Sequence, residues 1–107
     1  MTKEIKIKNV KIGGKNGIVL IAGPCVIETE SHVMRHAGNI KKICDKLDIG
    51  FIFKSSYDKA NRSSLKSYRG PGIDKGLKML AKVKKELGVP ILSDVHCRTE
   101  LNKAKDV

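Results

Sequence analysis

IVLIAGPC, residues 18–25, decides how this chain folds. Five apolar residues run from Ile18 to Ala22 without a break, and Gly23-Pro24 ends them. Continuity rather than alternation predicts a strand covered on both faces, as in a parallel sheet. Downstream, Val33, Ala37, Ile40, Cys44 and Leu47 recur at helical spacing and predict one apolar helix face, with Thr29 as N-cap and Gly50 just past the end. Phe51-Ile52-Phe53 reads as a second short buried strand. A polar loop from Ser55 to about Gly72 leads to a second helix, with Ile73, Leu77, Leu80, Lys84 and Leu87 on a face, Asp74 in its first turn, and Gly88 and Pro90 as stops. Pro90-Ile-Leu92 opens a third strand that Asp94, Val95 and His96 close, and residues 99–105 begin a third helix.

Upstream, Ile5 and Ile7, then Val10 and Ile12, mark two amphipathic strands turning at Lys8-Asn9 and ending at Gly13-Gly14. The order is a hairpin followed by β-α-β-α-β-α, which demands a parallel sheet with right-handed crossovers. Residues 1–14 are expected to form the hairpin and 17–107 three βα units of the same domain, without linker, internal repeat or low-complexity segment.

Charge narrows the ligand class. The chain has 107 residues, with 22 Lys and Arg against 11 Asp and Glu, a formal charge of +11. Such a chain attracts anions: nucleic acid, acidic lipid or phosphorylated small molecules. Lys41, Lys42, Lys82, Lys84 and Lys85 read as solvated helix faces instead. With Phe51, Phe53, Tyr57 and Tyr68 as the aromatics and no Trp, a stacking platform for single-stranded nucleic acid is disfavoured. The widely spaced Cys25, Cys44 and Cys97 match neither a zinc motif nor a disulfide framework. The charged N-terminus does not read as a signal peptide, and no apolar run could span a bilayer, so the expectation is a cytoplasmic protein without a membrane partner.

Each apolar strand leads at its C-terminal end into polar groups: the first to Cys25, the second to Lys54 and KSSYDKANRSS (54–64), the third to Asp94 and His96. That end of the strands is where α/β sheets and barrels bind ligands. Lys54, Lys59, Arg62 and Arg69, with Asp58 as counter-charge, suit phosphate or carboxylate, and Ser55, Ser56, Asn61, Ser63 and Ser64 add neutral donors. Lys54 abuts a buried strand and is expected to point inward. On its residue type alone Cys25 could be a metal ligand, a nucleophile or a small buried thiol; Cys44 fits the last. His32 and His36 stand four apart on a helix without a third ligand nearby, which favours an exposed flank. His96 could be a ligand, a substrate contact or a structural histidine. Gly70-Pro71-Gly72 lacks the spacing of a nucleotide-binding loop.

IAGPCVIE (21–28), FKSSYDKANRSS (53–64), RGPGIDKGL (69–77) and LSDVH (92–96) resemble the 3-deoxy-D-manno-octulosonate 8-phosphate synthase family along essentially the whole chain. The resemblance implies a (β/α)8 TIM barrel with an N-terminal hairpin covering its bottom. It implies a transferase that condenses phosphoenolpyruvate with arabinose 5-phosphate and releases phosphate, on the way to lipopolysaccharide. It matches Lys54 and Lys59 to contacts with phosphoenolpyruvate and the nascent adduct, and Asn61, Arg62 and Ser63 to the arabinose 5-phosphate site, with Ser55 and Ser56 beside them. Asp94 and His96 match active-site residues. Cys25 matches the cysteine that ligates a divalent metal in the metal-dependent branch; the remaining ligands, a histidine, a glutamate and an aspartate, come from later strands. The family forms tetramers.

A barrel of this kind needs about 250 residues, so about three of its units are expected here, without activity on their own. Cys97 stands where the family usually has glutamate. Two rivals stay open: the related 3-deoxy-arabino-heptulosonate 7-phosphate synthases, which share Gly-Pro-Cys but carry Lys-Pro-Arg-Thr where this chain has Lys54-Ser55-Ser56, and a non-catalytic basic module for phosphorylated ligands or nucleic acid.

Overall fold

A computed structural model describes residues 2–59 and 65–107. Strands β1 (Ile5–Ile7) and β2 (Val10–Ile12) pair antiparallel, and Lys8, at φ 53°, takes the left-handed conformation that the tight turn between them requires. Strand β3 (Val19–Ala22), helix α1 (Glu30–Leu47), strand β4 (Gly50–Lys54), helix α2 (Ile73–Leu87), strand β5 (Ile91–Leu92) and helix α3 (Arg98–Ala104) follow. The sheet order is β3-β4-β5, parallel throughout. This is the predicted alternation, with β4 in the middle.

Helices α1 and α2 form where the sequence places them, with a change at the C-terminal end of α1. Thr29 caps α1 as predicted: its Oγ1 accepts the His32 N–H at 3.1 Å. The other end stops one turn earlier than Gly50. Asp48 takes the left-handed cap at φ 54°, and the Ile49 N–H returns to the Cys44 carbonyl at 2.9 Å. Gly50 has a different task. A Cβ there would lie 3.2 Å from Val10 Cγ1 and 3.3 Å from Val19 Cγ2, so its absence lets the hairpin pack against the strand starts. Val10, 4% exposed, is the hairpin's buried anchor.

The core lies between the sheet and α1 and α2. Phe51 and Phe53 of β4 pack with Val33, Ala37 and Cys44 of α1 and Leu77, Leu80 and Val83 of α2. Val83, fully buried, extends the α2 face beyond the predicted set. Leu47 corrects the α1 face: it is 61% exposed, since the helix ends where it stands.

The larger correction concerns β3. Ile18 lies outside the strand and is 81% exposed, and Ile21 is 49% exposed. β3 has one strand neighbour and, among the described residues, helices cover one sheet face only. Ala22 and Phe53 face that core, while Ile21 and Ile52 stand on the other side at paired register. The strand is therefore covered on one face rather than two. β5 is also shorter than predicted, because residues 93–96 leave the ladder. Among the described residues no helix is long and apolar enough to cross a membrane.

Candidate functional site at the carboxyl edge of the sheet

The three strand ends meet through backbone and hydroxyl bonds. A Cβ on Gly23 would fall 1.9 Å from the Lys54 carbonyl oxygen, so only glycine lets the end of β3 approach β4 this closely. The Ser55 hydroxyl then donates to the Pro24 carbonyl at 2.7 Å, and the Ser56 N–H donates to the Cys25 carbonyl at 3.2 Å. The Ile27 N–H returns to the Ser56 carbonyl at 2.9 Å. On the other side, the Ser55 N–H donates to the Leu92 carbonyl at 3.3 Å. Cys25, Lys54 and the turn after β5 are thus stitched into one rim.

At this rim the Cys25 thiol is exposed. Lys54 is half-buried on the helix-free face, two residues from Ile52. Ser55 and Ser56, in contrast, are buried, and their hydroxyls are committed to backbone carbonyls, Pro24 for Ser55 and Asp58 at 2.7 Å for Ser56. They shape the rim. Lys59 is half-buried, and its N–H donates to the Arg69 carbonyl at 2.6 Å. Asn61, Arg62, Ser63 and Ser64 lie outside the described residues.

Arg69 pairs with an acid of the same segment. Its Nε and Nη2 donate to the two Asp58 carboxylate oxygens at 2.7 and 3.1 Å, a planar fork that raises the guanidinium's affinity for its proton. The fork is thus directed to Asp58, the counter-charge that the sequence places nearby. Backbone packing ties the same loop down: Gly72 N–H donates to the Tyr57 carbonyl at 3.1 Å, and a Cβ on Gly76 would lie 2.4 Å from Tyr57 Cβ.

Beyond β5, His96 Nε2 lies 3.2 Å from Asp94 Oδ2. The His96 ring meets the edge of Tyr57, with centroids 5.6 Å apart. Tyr57 is fully buried, and its hydroxyl donates to Glu100 Oε2 at 2.8 Å. Burial, reinforced by that carboxylate, pushes the Tyr57 phenol up to about 12. The same bond holds the Glu100 carboxyl below its ordinary value. Tyr57 and Glu100 were missed in the sequence reading. The available signal was a tyrosine beside a buried strand, which needs a polar partner, and an acid in the first turn of a short helix.

The other chemically active residues stand apart. His32 and His36 are half-buried rather than an exposed flank: their rings lie 4.2 Å apart, and His36 Nδ1 pairs with the His32 carbonyl at 2.8 Å. Cys44 is buried in the core, and burial raises its thiol pKa. Cys97 is exposed, with Sγ 3.1 Å from Thr99 Oγ1. Among the described residues no group of three or more His, Cys, Asp or Glu could hold a metal ion. Cys25 fits a single ligand position.

Parallel βα units thus carry a thiol, a half-buried lysine and an aspartate–histidine pair on one carboxyl edge, the end at which α/β folds bind ligands. Residues 2–107 match the DAHP synthetase I family, and the chain belongs to it. It is 54% identical over 107 residues to a protein of Trichlorobacter lovleyi named 2-dehydro-3-deoxyphosphooctonate aldolase, covering 100% of this chain and 39% of the relative. A relative of the same name from Geotalea uraniireducens is 56% identical over 107 residues, with the same 100% and 39% coverage. One from Fusobacterium nucleatum is 51% identical over 108 residues, covering 97% of this chain and 38% of the relative. The chain thus spans about 39% of the length of the first two relatives. These names agree with the resemblance read from the sequence.

Proposed function

We propose that this chain contributes the first part of the active site of a 3-deoxy-8-phosphooctulonate synthase, which joins phosphoenolpyruvate to D-arabinose 5-phosphate and releases phosphate. The observation that carries the reading is the 54–56% identity, over all 107 residues, to relatives named for that product. The rim geometry supports it. Both substrates are phosphate esters, and β4 ends on Lys54, with Lys59 following in the same polar segment of the sequence.

In this reading Lys54 and Lys59 neutralise and orient phosphoenolpyruvate, so that its nucleophilic carbon faces the sugar aldehyde. Asn61, Arg62 and Ser63 take the sugar phosphate, where an arginine fork grips phosphate with direction. Ser55 and Ser56 hold the lysine-bearing turn in place from beneath. Asp94 and His96 form the polar pair that can hold or move a proton near the condensing carbons. Cys25 would supply one thiolate ligand to a divalent metal, with the other ligands from outside the described residues; the metal would polarise the aldehyde or orient the attacking water. The complete protein is a cytoplasmic homo-oligomer in this reading, a tetramer by family resemblance, which light scattering checks.

The experiment is a phosphate-release assay on the chain completed to full length with the remaining part of the Geotalea uraniireducens relative. Release is expected with arabinose 5-phosphate and not with a tetrose phosphate; the reverse preference would make the protein a heptulosonate-type synthase. Salt-sensitive binding of duplex DNA without competition from either substrate would point to the basic-module reading instead. Elemental analysis gives the metal its own readout: the Cys25→Ala protein is expected to purify with less bound metal than its parent, and equal content would remove Cys25 from the ligand set.

A further inference from the structure

His96 is held from three directions. Asp94 Oδ2 lies 3.2 Å from its Nε2, the Tyr57 ring meets it edge-on with centroids 5.6 Å apart, and its backbone N–H donates to Glu100 Oε2 at 3.2 Å. That same Glu100 oxygen accepts the Tyr57 hydroxyl at 2.8 Å. One carboxylate oxygen therefore joins the segment after β4, the turn after β5 and the first turn of α3. Beside it stand the Ser55 N–H bond to the Leu92 carbonyl at 3.3 Å and the Lys103–Asp74 pair at 3.0 Å between α3 and α2, while residues 93–96 themselves lie outside the ladder. Tyr57 by contrast is fully buried, with Gly76 of α2 close against its Cβ. The bond from Glu100 thus ties that turn to a buried reference point in the core.

We propose that Glu100 is the positioning residue for His96: by clamping the Tyr57 hydroxyl and the His96 N–H together, it sets where the His96–Asp94 pair stands at the rim. The inference rests on the proposed role of that pair, and it adds a residue that touches no substrate. The carboxylate suits the task because it is an acceptor only, so both donors can share it without competition from a proton of its own. Glutamine keeps an acceptor oxygen at the same reach, while alanine removes it.

The test uses the chain completed to full length as above. Glu100→Ala is expected to lower kcat by about tenfold or more with each KM changing less than about threefold, because a misaligned catalytic group costs rate rather than ground-state binding. Glu100→Gln is expected to restore kcat to within about threefold of the parent, since it keeps the acceptor. A Glu100→Ala protein with unchanged kcat and only a lower Tm would overturn the proposal and leave Glu100 a fold staple. If that variant fails to fold, Tyr57→Phe decides: it keeps the ring and loses only the hydroxyl, and it is expected to lower kcat severalfold at constant KM, an unchanged kcat being contrary. His96→Ala separates the two levels. Activity unaltered in His96→Ala overturns the role of the pair together with the positioning. Loss in His96→Ala beside full activity in Glu100→Ala overturns the positioning alone. A crystal structure of Glu100→Ala or Tyr57→Phe supplies a readout independent of turnover: the His96 ring is expected to leave its edge contact with residue 57, and an unmoved ring is the contrary result.

Discussion

The two faces of the β3-β4-β5 sheet are built from the same kind of residue and meet opposite fates. On one face Phe51 and Phe53 are 5% and 0% exposed under α1 and α2. On the other, Ile21 is 49% exposed and Leu92 42% exposed. Only Ile52, on the central strand, is buried there, at 4%. Hydrophobicity alone does not determine burial; the helices do, and the strand's place in the sheet does. The open face is also where Lys54 stands, whereas His96 rests against Tyr57, which belongs to the helix-covered core.

The largest effect is expected from truncating a residue on the covered face. Phe53→Ala is expected to cost about 3–5 kcal/mol in chemical denaturation, the usual range for a buried aromatic. A smaller effect is expected at the junction between the faces. Gly23→Ala puts a Cβ 1.9 Å from the Lys54 carbonyl, which must push β3 away from β4. Such overpacking costs about 1–3 kcal/mol in the same measurement. Wild-type stability in Gly23→Ala would show that the strand ends do not meet as described.

Tyr57 sharpens the contrast through pH. Its phenol is raised from 10.0 to about 12, so the folded state holds its proton more tightly than the unfolded chain does. The stabilisation is complete below pH 10 and fades as pH rises from 10 toward about 12. Denaturation midpoints should therefore fall more steeply above pH 10 in the parent than in Tyr57→Phe, and parallel alkaline limbs would contradict the buried bond to Glu100. Glu100 works in the other direction: its depressed carboxyl contributes stability at neutral pH that is lost as pH falls through its folded value.

The smallest change belongs to the open face. Ile21→Lys is expected to alter stability by less than about 0.5 kcal/mol in the 107-residue chain, as exposed substitutions do. It should also reduce self-association in light scattering, since exposed apolar edges promote it.

How far the sequence reveals this arrangement depends on the range of the signal. Val33, Ala37 and Cys44 declare their helix face because a period of three and four residues is local, and Thr29 declares its cap for the same reason. The order of strands and helices follows from such local signals. The exposure of Ile21 does not, because an apolar run looks alike whether one face or both are covered. Asp58 is legible as a counter-charge, but which cation it meets is not, because in an aperiodic segment no spacing rule pairs side chains; it meets Arg69. Tyr57 and Glu100, 43 residues apart, meet only because β5 and α3 fold back beside β4. The polar residues at the strand ends were legible, since strand termini are. Which of them face outward was not: Ser55 and Ser56 turn their hydroxyls to Pro24 and Asp58, a matter of rotamer and close approach.

The proposed grip of the rim on phosphate esters through Lys54 is measured most directly by kcat/KM for phosphate release in the completed protein with Lys54→Ala. A fall of about a hundredfold or more is expected when a charge-bearing contact to the reacting substrate is removed. Retention of the parent value would contradict the account.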